Sequence, residues 1–322
     1  FPKLLKASCD GYVWPRSRTG ERSLWTYEEL RDLKAAINAE GLELEAIENF
    51  DVTHWHDVLL DGPKKQQQLE GLKTLIRDVG KVGIPIIGYN FSLAGVWGHH
   101  VGPFARGKAE CVGFGGEGAP METPIPNGQV WNMTYDPSAP PGDLPETTTD
   151  ELWRRCEEFL KEILPVAEAE GVRLAAHPDD PPMPTLRGTP RFVYQPHHYR
   201  RLLALSSSPA NALEFCMGTI QEMTEGSIYE AIDEYSRQGK IAYIHFRNVR
   251  GKVPCYREVF LDEGDIDMLR IIQILHKNGY DGVLIPDHTP QMNCATPWHA
   301  GSAYALGYIR AAIAAIERLD VN

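Results

Sequence analysis

Short apolar runs alternate with longer amphipathic stretches along the chain, and this alternation predicts its secondary structure. The apolar runs are bounded by glycine or polar residues, as buried strands usually are. We predict seven strands, at Gly11–Trp14, Leu42–Ile47, Ile84–Tyr89, Val172–Ala176, Ala212–Phe215, Ile241–Ile244 and Gly282–Ile285.

The amphipathic stretches between these runs predict the helices. In Lys64–Gly80, leucine, isoleucine and valine residues recur at helical spacing and form one stripe. Thr26 precedes Glu29 by the spacing of a capping box, and Thr149 or Asp150 is the predicted N-cap of a later helix. We predict helices at Leu4–Ala7, Tyr27–Glu40, Lys64–Gly80, Glu151–Glu170, Gln195–Leu205, Ser227–Gln238, Asp265–Asn278 and Gly301–Leu319.

Helix, glycine, strand and polar loop repeat in this order, which is typical of βαβ units whose parallel strands are buried on both faces. We therefore predict an α/β fold, a TIM (β/α)8-type barrel in which residues 1–322 form a single domain. Seven strands leave the barrel one short, and we expect the missing first strand to precede Phe1. A doubly wound open sheet is the alternative, but candidate ligands on several strand ends converge only if the sheet closes.

Residues 92–149 interrupt this rhythm with many glycines and prolines and little periodicity. A loop of this length in a compact domain is usually a lid or binding loop, or is disordered. The aromatic residues Trp97, Phe104 and Trp131 favour an ordered lid over a variable surface insertion, because disordered segments contain few aromatics. Since the segment follows a predicted strand, we expect it to cover the carboxyl-end face of the barrel.

Composition narrows the class of protein only slightly. Hydrophobic residues make up 43% of the chain and charged residues 24%, as in ordinary globular proteins. The net charge of −12 argues against a nucleic-acid-binding protein, and the apolar runs fall short of the ~20 residues that span a membrane. Six scattered cysteines without a CxxC pair indicate reduced thiols in a cytoplasmic protein. The sequence leaves a homo-oligomer open.

Four of the predicted strands end at or next to a residue that can bind a metal ion: His177, Cys216, His245 and Asp287. Imidazole, thiolate and carboxylate are good ligands for divalent transition metals, and barrels assemble their active sites from several strand ends. Each residue alone is as readily explained by core packing, since a lone cysteine behaves as a small buried hydrophobe. Four such residues at equivalent places favour a metal site with an open position for a substrate oxygen.

Six blocks in the same order resemble the mannonate dehydratases that depend on Mn²⁺ or Fe²⁺. They are Tyr89–Phe91, His177–Pro182, Phe215–Thr219, Ile244–Arg247, Glu263–Met268 and Pro286–Met292. The resemblance implies a xylose-isomerase-like TIM barrel whose metal ligands are the same four residues. It also implies a hydro-lyase of hexuronate catabolism that converts D-mannonate into 2-keto-3-deoxy-D-gluconate. Ligand types alone leave Zn²⁺ or Fe²⁺ open, whereas the resemblance implies Mn²⁺ with Fe²⁺ as the alternative.

Three departures from the family pattern leave the substrate open. Ala303 stands where the family has a tyrosine thought to take part in catalysis, and Tyr304 follows one place later. Thr289 and Pro290 replace a glycine and a histidine beside the metal site. The family also has a longer, partly helical insertion where this chain has residues 92–149.

The same comparison suggests roles for five further side chains. We expect His288 to be the general acid/base, because an imidazole with a pKa near neutral suits both proton steps, although it could instead support a ligand. Tyr304 is the second candidate acid. We expect Arg247 to pair with the substrate carboxylate, with a structural ion pair as the alternative. Asn90 is expected to hold a substrate hydroxyl, and Asp179 to orient a metal ligand or a bound water.

Other functions stay open at this point. A metal-dependent sugar isomerase or epimerase of the same superfamily would use a pair of glutamates at strand ends, and Glu45, Glu48 and Glu214 do not supply two strong candidates. A non-catalytic sugar-acid-binding relative would have lost its proton-transfer residues, which fits the shifted Tyr304. A closed site without a pocket would indicate a structural metal.

Overall fold

The computed structural model describes residues 6–9, 24–115 and 121–319. In chain order, its strands are β1 Lys6–Cys9, β2 Glu43–Glu48, β3 Ile86–Tyr89, β4 His99–Ala105, β5 Ala109–Phe114, β6 Gln129–Val130, β7 Met133–Thr134, β8 Arg173–Ala176, β9 Thr185–Leu186, β10 Thr189–Pro190, β11 Asn211–Cys216, β12 Ile241–His245, β13 Asn248–Lys252, β14 Cys255–Val259 and β15 Val283–Ile285. Its α-helices are α1 Tyr27–Ala39, α2 His56–Leu60, α3 Lys65–Val82, α4 Thr149–Ala169, α5 His198–Ala204, α6 Met217–Glu222, α7 Ile228–Arg237, α8 Met268–Lys277 and α9 Pro297–Leu319.

A parallel sheet forms the centre of the molecule. In the described part of the chain it has seven strands, in the order β1-β2-β3-β8-β11-β12-β15. Cα atoms of β1 and β15 approach within 8 Å, so the sheet curls until its first and last strands meet. This nearly closed sheet with helices between its strands confirms the predicted α/β barrel of the TIM type.

The predicted strands are confirmed from Leu42–Ile47 onward, with ends that differ by at most two residues. The start of the chain differs from the prediction, because Lys6 and Ala7 belong to strand β1 and not to a helix. A run of four residues is too short for periodicity to separate a helix from a strand. The strands predicted at Gly11–Trp14 and before Phe1 lie outside the described residues.

The helices predicted after Ala7 are also confirmed, with ends that differ by up to four residues, and α1 begins with the predicted capping box. The N-cap of α4 is Thr148, whose Oγ1 accepts a hydrogen bond from the backbone N–H of Glu151 at 3.3 Å. Thr149 and Asp150 were therefore the wrong candidates, because only Thr148 stands three positions before the glutamate that closes a capping box.

Residues 92–149 contain more regular structure than their sequence indicates. Strands β4 and β5 pair with each other and then with the β13–β14 hairpin, in the order β13-β14-β5-β4. Both hairpins escaped prediction because glycine interrupts β4, β5 and β13, and because the two hairpins that pair are far apart in the chain. Whether the segment works as a lid stays a prediction.

Two buried arginines fasten this segment to the barrel. The Arg191 guanidinium donates hydrogen bonds to the side chain of Ser92 at 3.1 Å and to the carbonyl of Gly95 at 2.9 Å. Arg187 stacks at 4.0 Å on the ring of Trp97 and donates to backbone carbonyls further along the segment. The start and the middle of the segment are therefore both attached to the loop that follows β8.

Small residues fill one end of the barrel and leave the other end for polar groups. Ala46 of β2 and Ala212 of β11 belong to a buried apolar cluster inside the barrel. Alternate residues of a strand face the same way, so Glu48 and Glu214 are the next inward positions toward the carboxyl ends. Among the described residues, no helix combines the length and apolar character needed to cross a membrane. Five cysteines have free thiols: Cys111, Cys156, Cys216, Cys255 and Cys294.

Candidate metal centre

Strand register brings together the carboxyl ends of five neighbouring strands, β3, β8, β11, β12 and β15. Cys216 at the end of β11 lies opposite His245 at the end of β12, and His245 lies opposite Ile285 of β15. Tyr89 of β3 lies opposite Ala176, the residue before His177. The side chains at these positions or just after them therefore surround one point at the open end of the barrel.

The four predicted ligands meet at this point. One ligand atom from each of His177, Cys216 and His245 lies within 4.8 Å of the other two, and Oδ2 of Asp287 lies 3.5 Å from Nδ1 of His245. Nδ1 of His177 donates a hydrogen bond to the carbonyl of Pro178 at 2.6 Å, which leaves Nε2 as its ligand atom. A thiolate, two imidazoles and a carboxylate that converge in this way fit a divalent transition-metal ion.

The environment of Cys216 favours the form that binds metal. Burial opposes ionisation of the thiol, but the positive charge of Arg247 and hydrogen bonds from His177 and His245 lower its pKa to about 5. At neutral pH the group is therefore a thiolate, which is the metal-binding form of cysteine.

Asp287 adopts a strained backbone conformation beside these residues. Its φ of 54° lies in the left-handed region, which residues other than glycine rarely occupy. Burial raises the pKa of its carboxyl, but His288, His245 and Arg247 outweigh burial and lower the pKa below its usual range. Such strain concentrates at functional sites, where the surrounding structure holds it in place.

Arg247 is enclosed by carboxylates of the protein and is only 1% exposed. Its Nε lies 3.0 Å from Asp287, and its Nη1 lies 2.8 Å from Glu222 and 3.2 Å from Glu258. Its Nη2 pairs with Asp180. Because the guanidinium is committed to these partners, the geometry favours the structural ion pair over a contact with the substrate carboxylate.

His288 faces the cavity and keeps 47% of its side chain exposed. Its Nδ1 donates a hydrogen bond to Oε2 of Glu258 at 2.7 Å. Partial burial disfavours the charged imidazole, but Asp287 and Glu258 outweigh it and raise the pKa of His288. The side chain therefore holds a proton readily and can act as a proton donor.

Tyr304 and Asp179 occupy positions away from the cavity. Tyr304 packs at the edge of the Phe260 ring, with centroids 5.5 Å apart. Oδ2 of Asp179 accepts the backbone N–H of Val193 at 2.7 Å, and its Oδ1 lies 3.1 Å from Nε of Arg191. The expected roles of Tyr304 as an acid and of Asp179 at the substrate stay predictions that these positions do not support.

A cavity of about 220 Å³ opens above the converging side chains. This volume suits one small molecule, since it is less than that of a typical drug-sized pocket. Asn90 lines the cavity as predicted, and its Nδ2 donates a hydrogen bond to Oδ1 of Asn49 at 2.7 Å. An open cavity beside the candidate ligands is the arrangement of a catalytic metal site and not of a closed structural one.

Two glutamates that the sequence interpretation discounted also face this site. Oε1 of Glu214 lies 3.0 Å from Nε2 of His245, and Oε2 of Glu48 lies 3.4 Å from the same nitrogen. The expectation that the chain lacks a glutamate pair at this place was therefore wrong. The alternation of strand β11 could have predicted the position of Glu214, because Glu214 stands two positions before Cys216 and so faces the same way.

Comparison with known proteins gives consistent matches. The D-mannonate dehydratase (UxuA) family profile matches residues 3–100 and 144–321. The mannonate dehydratase of Lactococcus lactis subsp. cremoris strain MG1363 is 30% identical over 289 residues, which cover 82% of this chain and 78% of the relative. The mannonate dehydratase structure from Streptococcus suis serotype 2 superposes with a TM-score of 0.79 at 24% identity, over 97% of this chain and 86% of that one. A xylose isomerase domain protein from Planctomyces limnophilus shares the fold, with a TM-score of 0.54 at 16% identity over 91% and 86% of the two chains.

The matched ranges contain all seven strands of the central sheet and the four converging residues. The unmatched residues 101–143 fall inside the segment that follows β3. The match therefore covers the barrel strands and the positions of the four converging residues. The chain belongs to the mannonate dehydratase family.

Proposed function

We propose that the protein is a hydro-lyase that removes water from D-mannonate or a close analogue and releases 2-keto-3-deoxy-D-gluconate. One observation carries this proposal, within a chain of this family: the side chains of His177, Cys216, His245 and Asp287 converge beneath an open cavity that His288 lines.

We propose that His177, Cys216, His245 and Asp287 hold a divalent metal ion, Mn²⁺ in the first place and Fe²⁺ as the alternative. A bound ion would stabilise the negative charge that develops on the substrate carboxylate when the C2 proton leaves. The two negative charges of Cys216 and Asp287 balance the charge of such an ion.

His288 is the proposed general acid/base. In its neutral form the imidazole takes the C2 proton, and once protonated it gives that proton to the C3 hydroxyl, which leaves as water. Asn90 and its neighbour Asn49 offer amide groups to the other hydroxyls of the substrate. Arg247 keeps Asp287 in position through its 3.0 Å contact.

We further propose that residues 1–322 form one domain and that residues 92–149 cover the cavity. The anchors from Arg187 and Arg191 support a fixed cover that excludes water. We expect a cytoplasmic protein, as its free thiols suggest.

The metal-loaded protein should release 2-keto-3-deoxy acid from at least one member of a panel of sugar acids that includes D-mannonate. Activity should disappear after chelation and return with Mn²⁺. Cys216→Ser should lose the metal as measured by elemental analysis. Absence of product across the whole panel, from protein shown to contain metal, would refute the dehydratase proposal.

A sugar isomerase or epimerase is the second candidate, because Glu48 and Glu214 both face the site. The two reactions differ in mass balance, since a dehydratase product is lighter by one water and an isomer is not. Mass spectrometry of the same incubations, extended to aldoses and ketoses, separates the two proposals.

A further inference from the structure

Trp131 occupies a backbone position that disfavours a large side chain. Strands β6 and β7 pair antiparallel with Val130 opposite Met133, so Trp131 and Asn132 form the two-residue connection. Their φ angles of 53° and 58° are both left-handed, which defines a type I′ turn. Asn-Gly is the preferred sequence for such a turn, whereas a bulky residue with positive φ is a genuine outlier.

Neighbouring groups hold this turn in one place. The backbone N–H of Trp131 donates to the carbonyl of Leu93 at 2.7 Å, and Nη1 of Arg187 donates to Oδ1 of Asn132 at 2.9 Å. Gly95 has a φ of 61°, and a Cβ there would lie 2.9 Å from the backbone of Trp131. The surrounding groups thus hold the strained backbone of Trp131 in place. Because such strain concentrates at functional sites, it indicates a function for the Trp131 side chain.

The side chain of Trp131 lines the cavity above the metal centre. Val96 and Trp298 line the same cavity and are 38% and 53% exposed, whereas His245 is 3% exposed. Val96 and Trp298 therefore lie at the open end of the cavity, and His245 lies at its floor. A sugar acid whose C1 to C3 lie beside His288 and the metal ligands extends its remaining carbons toward the open end.

We propose that Trp131 is a specificity-determining residue that packs against the C–H groups of the substrate beyond C3 and so selects acids of sufficient length. A flat aromatic ring offers apolar area to carbons whose hydroxyls point to the other side. The inference rests on the proposed function. Residue 131 lies within 101–143, the part of the chain that the family profile does not match.

The variant Trp131→Asn distinguishes a role of the side chain in substrate binding from a role in holding the turn, because asparagine tolerates the positive φ of this position. Asparagine relieves the backbone strain but loses the packing of the ring against the core, so we expect a melting temperature close to that of the wild type. We also expect KM for the six-carbon acid to rise about tenfold, which corresponds to one lost contact of about 1.4 kcal/mol, while kcat changes little. KM for a four-carbon acid with the same C1 to C3 should stay unchanged.

Lys108→Asn is the matched control. Lys108 is exposed, has a φ of 63° and lies in the β4–β5 connection away from the cavity. This variant should relieve the same kind of strain and leave KM for both acids unchanged.

Two results would overturn the proposal: a lower melting temperature of Trp131→Asn with unchanged KM, or an equal rise of KM for the long and the short acid. Lack of turnover by the wild type would count against the proposed function instead. In that case, calorimetric measurement of D-mannonate binding still tests the role of Trp131. Equal affinity of the wild type and Trp131→Asn would overturn this role, and weaker binding by the variant would support it.

Discussion

The carboxyl group of Glu214 is fully buried beside other ionisable side chains. Its Oε1 lies 3.0 Å from Nε2 of His245 and 3.8 Å from Nε2 of His177. Burial raises its pKa well above the usual range, and the neighbouring Glu48 raises it further. Carboxylates behind metal-binding imidazoles orient the rings and tune their affinity for the ion. We therefore interpret Glu214 as a residue that positions His245.

Glu214→Gln should weaken Mn²⁺ binding by roughly 10- to 100-fold, the usual effect of removing a partner of a ligand. The measurement is competition with a chelator. Glu222→Gln is the matched control, because Glu222 is equally buried but contacts Arg247 and not a ligand histidine. Affinity that is the same in Glu214→Gln and the wild type would contradict the positioning role.

His288→Asn tests the proposed acid/base. We expect the variant to retain its metal in elemental analysis and to lose roughly 10²- to 10⁴-fold in kcat, the contribution of a positioned acid or base. His197→Asn serves as the control, because the side chain of His197 is 51% exposed and lies outside the cavity lining. A metal-replete His288→Asn enzyme of normal activity would remove His288 from the mechanism.

Sequence reasoning found the residues of the site that follow the strands and missed those that support them. His177, Cys216 and Asp287 are visible because each interrupts an apolar run. The partners of Arg247 could not be recognised in the sequence, because Glu222 and Glu258 lie in α6 and β14 and meet only in the folded molecule. The position of Tyr304 could not be predicted, because a residue type without its exact place on a helix does not show where the side chain points.

At the scale of elements, helix α4 offers a direct test of its N-cap. Thr148→Ala should destabilise the protein by about 1 kcal/mol, because the backbone N–H of Glu151 loses its acceptor. Thr149→Ala is the control, since Thr149 is exposed and already inside the helix, where alanine is favourable. Denaturant titration measures both, and equal losses would show that the cap does not stabilise α4.

The barrel elements could be predicted because each has its own local signal, an apolar run or an amphipathic stripe that glycine or a cap terminates. Strands β4, β5, β13 and β14 have no such signal. Their pairing joins two segments that are far apart in the chain, and their polar faces and glycines hide the alternation. Tertiary contacts, and not local propensity, decide their conformation.

For the whole molecule, His198 contributes a dependence of stability on pH. Burial, with smaller effects from His197 and Arg201, lowers its pKa to about 4, whereas an unfolded histidine has a pKa of about 6.5. Between these values the unfolded chain binds a proton that the folded chain does not, so stability falls as the pH falls through this window.

When the pH is lowered from 7 to about 4.5, the melting temperature of His198→Gln should therefore fall less than that of the wild type. Other titrating groups are common to both proteins and cancel in the difference. His197→Gln, which removes only a smaller cause of the lowered pKa of His198, should keep most of the pH dependence of the wild type. Parallel curves for His198→Gln and the wild type would show that His198 does not titrate with folding.

The pairing of β5 with β14 has a consequence for synthesis. On the ribosome, the β4–β5 hairpin emerges long before Tyr256, the residue that lies opposite Phe114, has been made. During that interval one strand edge of the nascent hairpin has no partner, and such edges recruit strands from other chains. The rate of translation across residues 115–255, and not only the stability of the finished protein, should therefore govern how much of the chain reaches the native state.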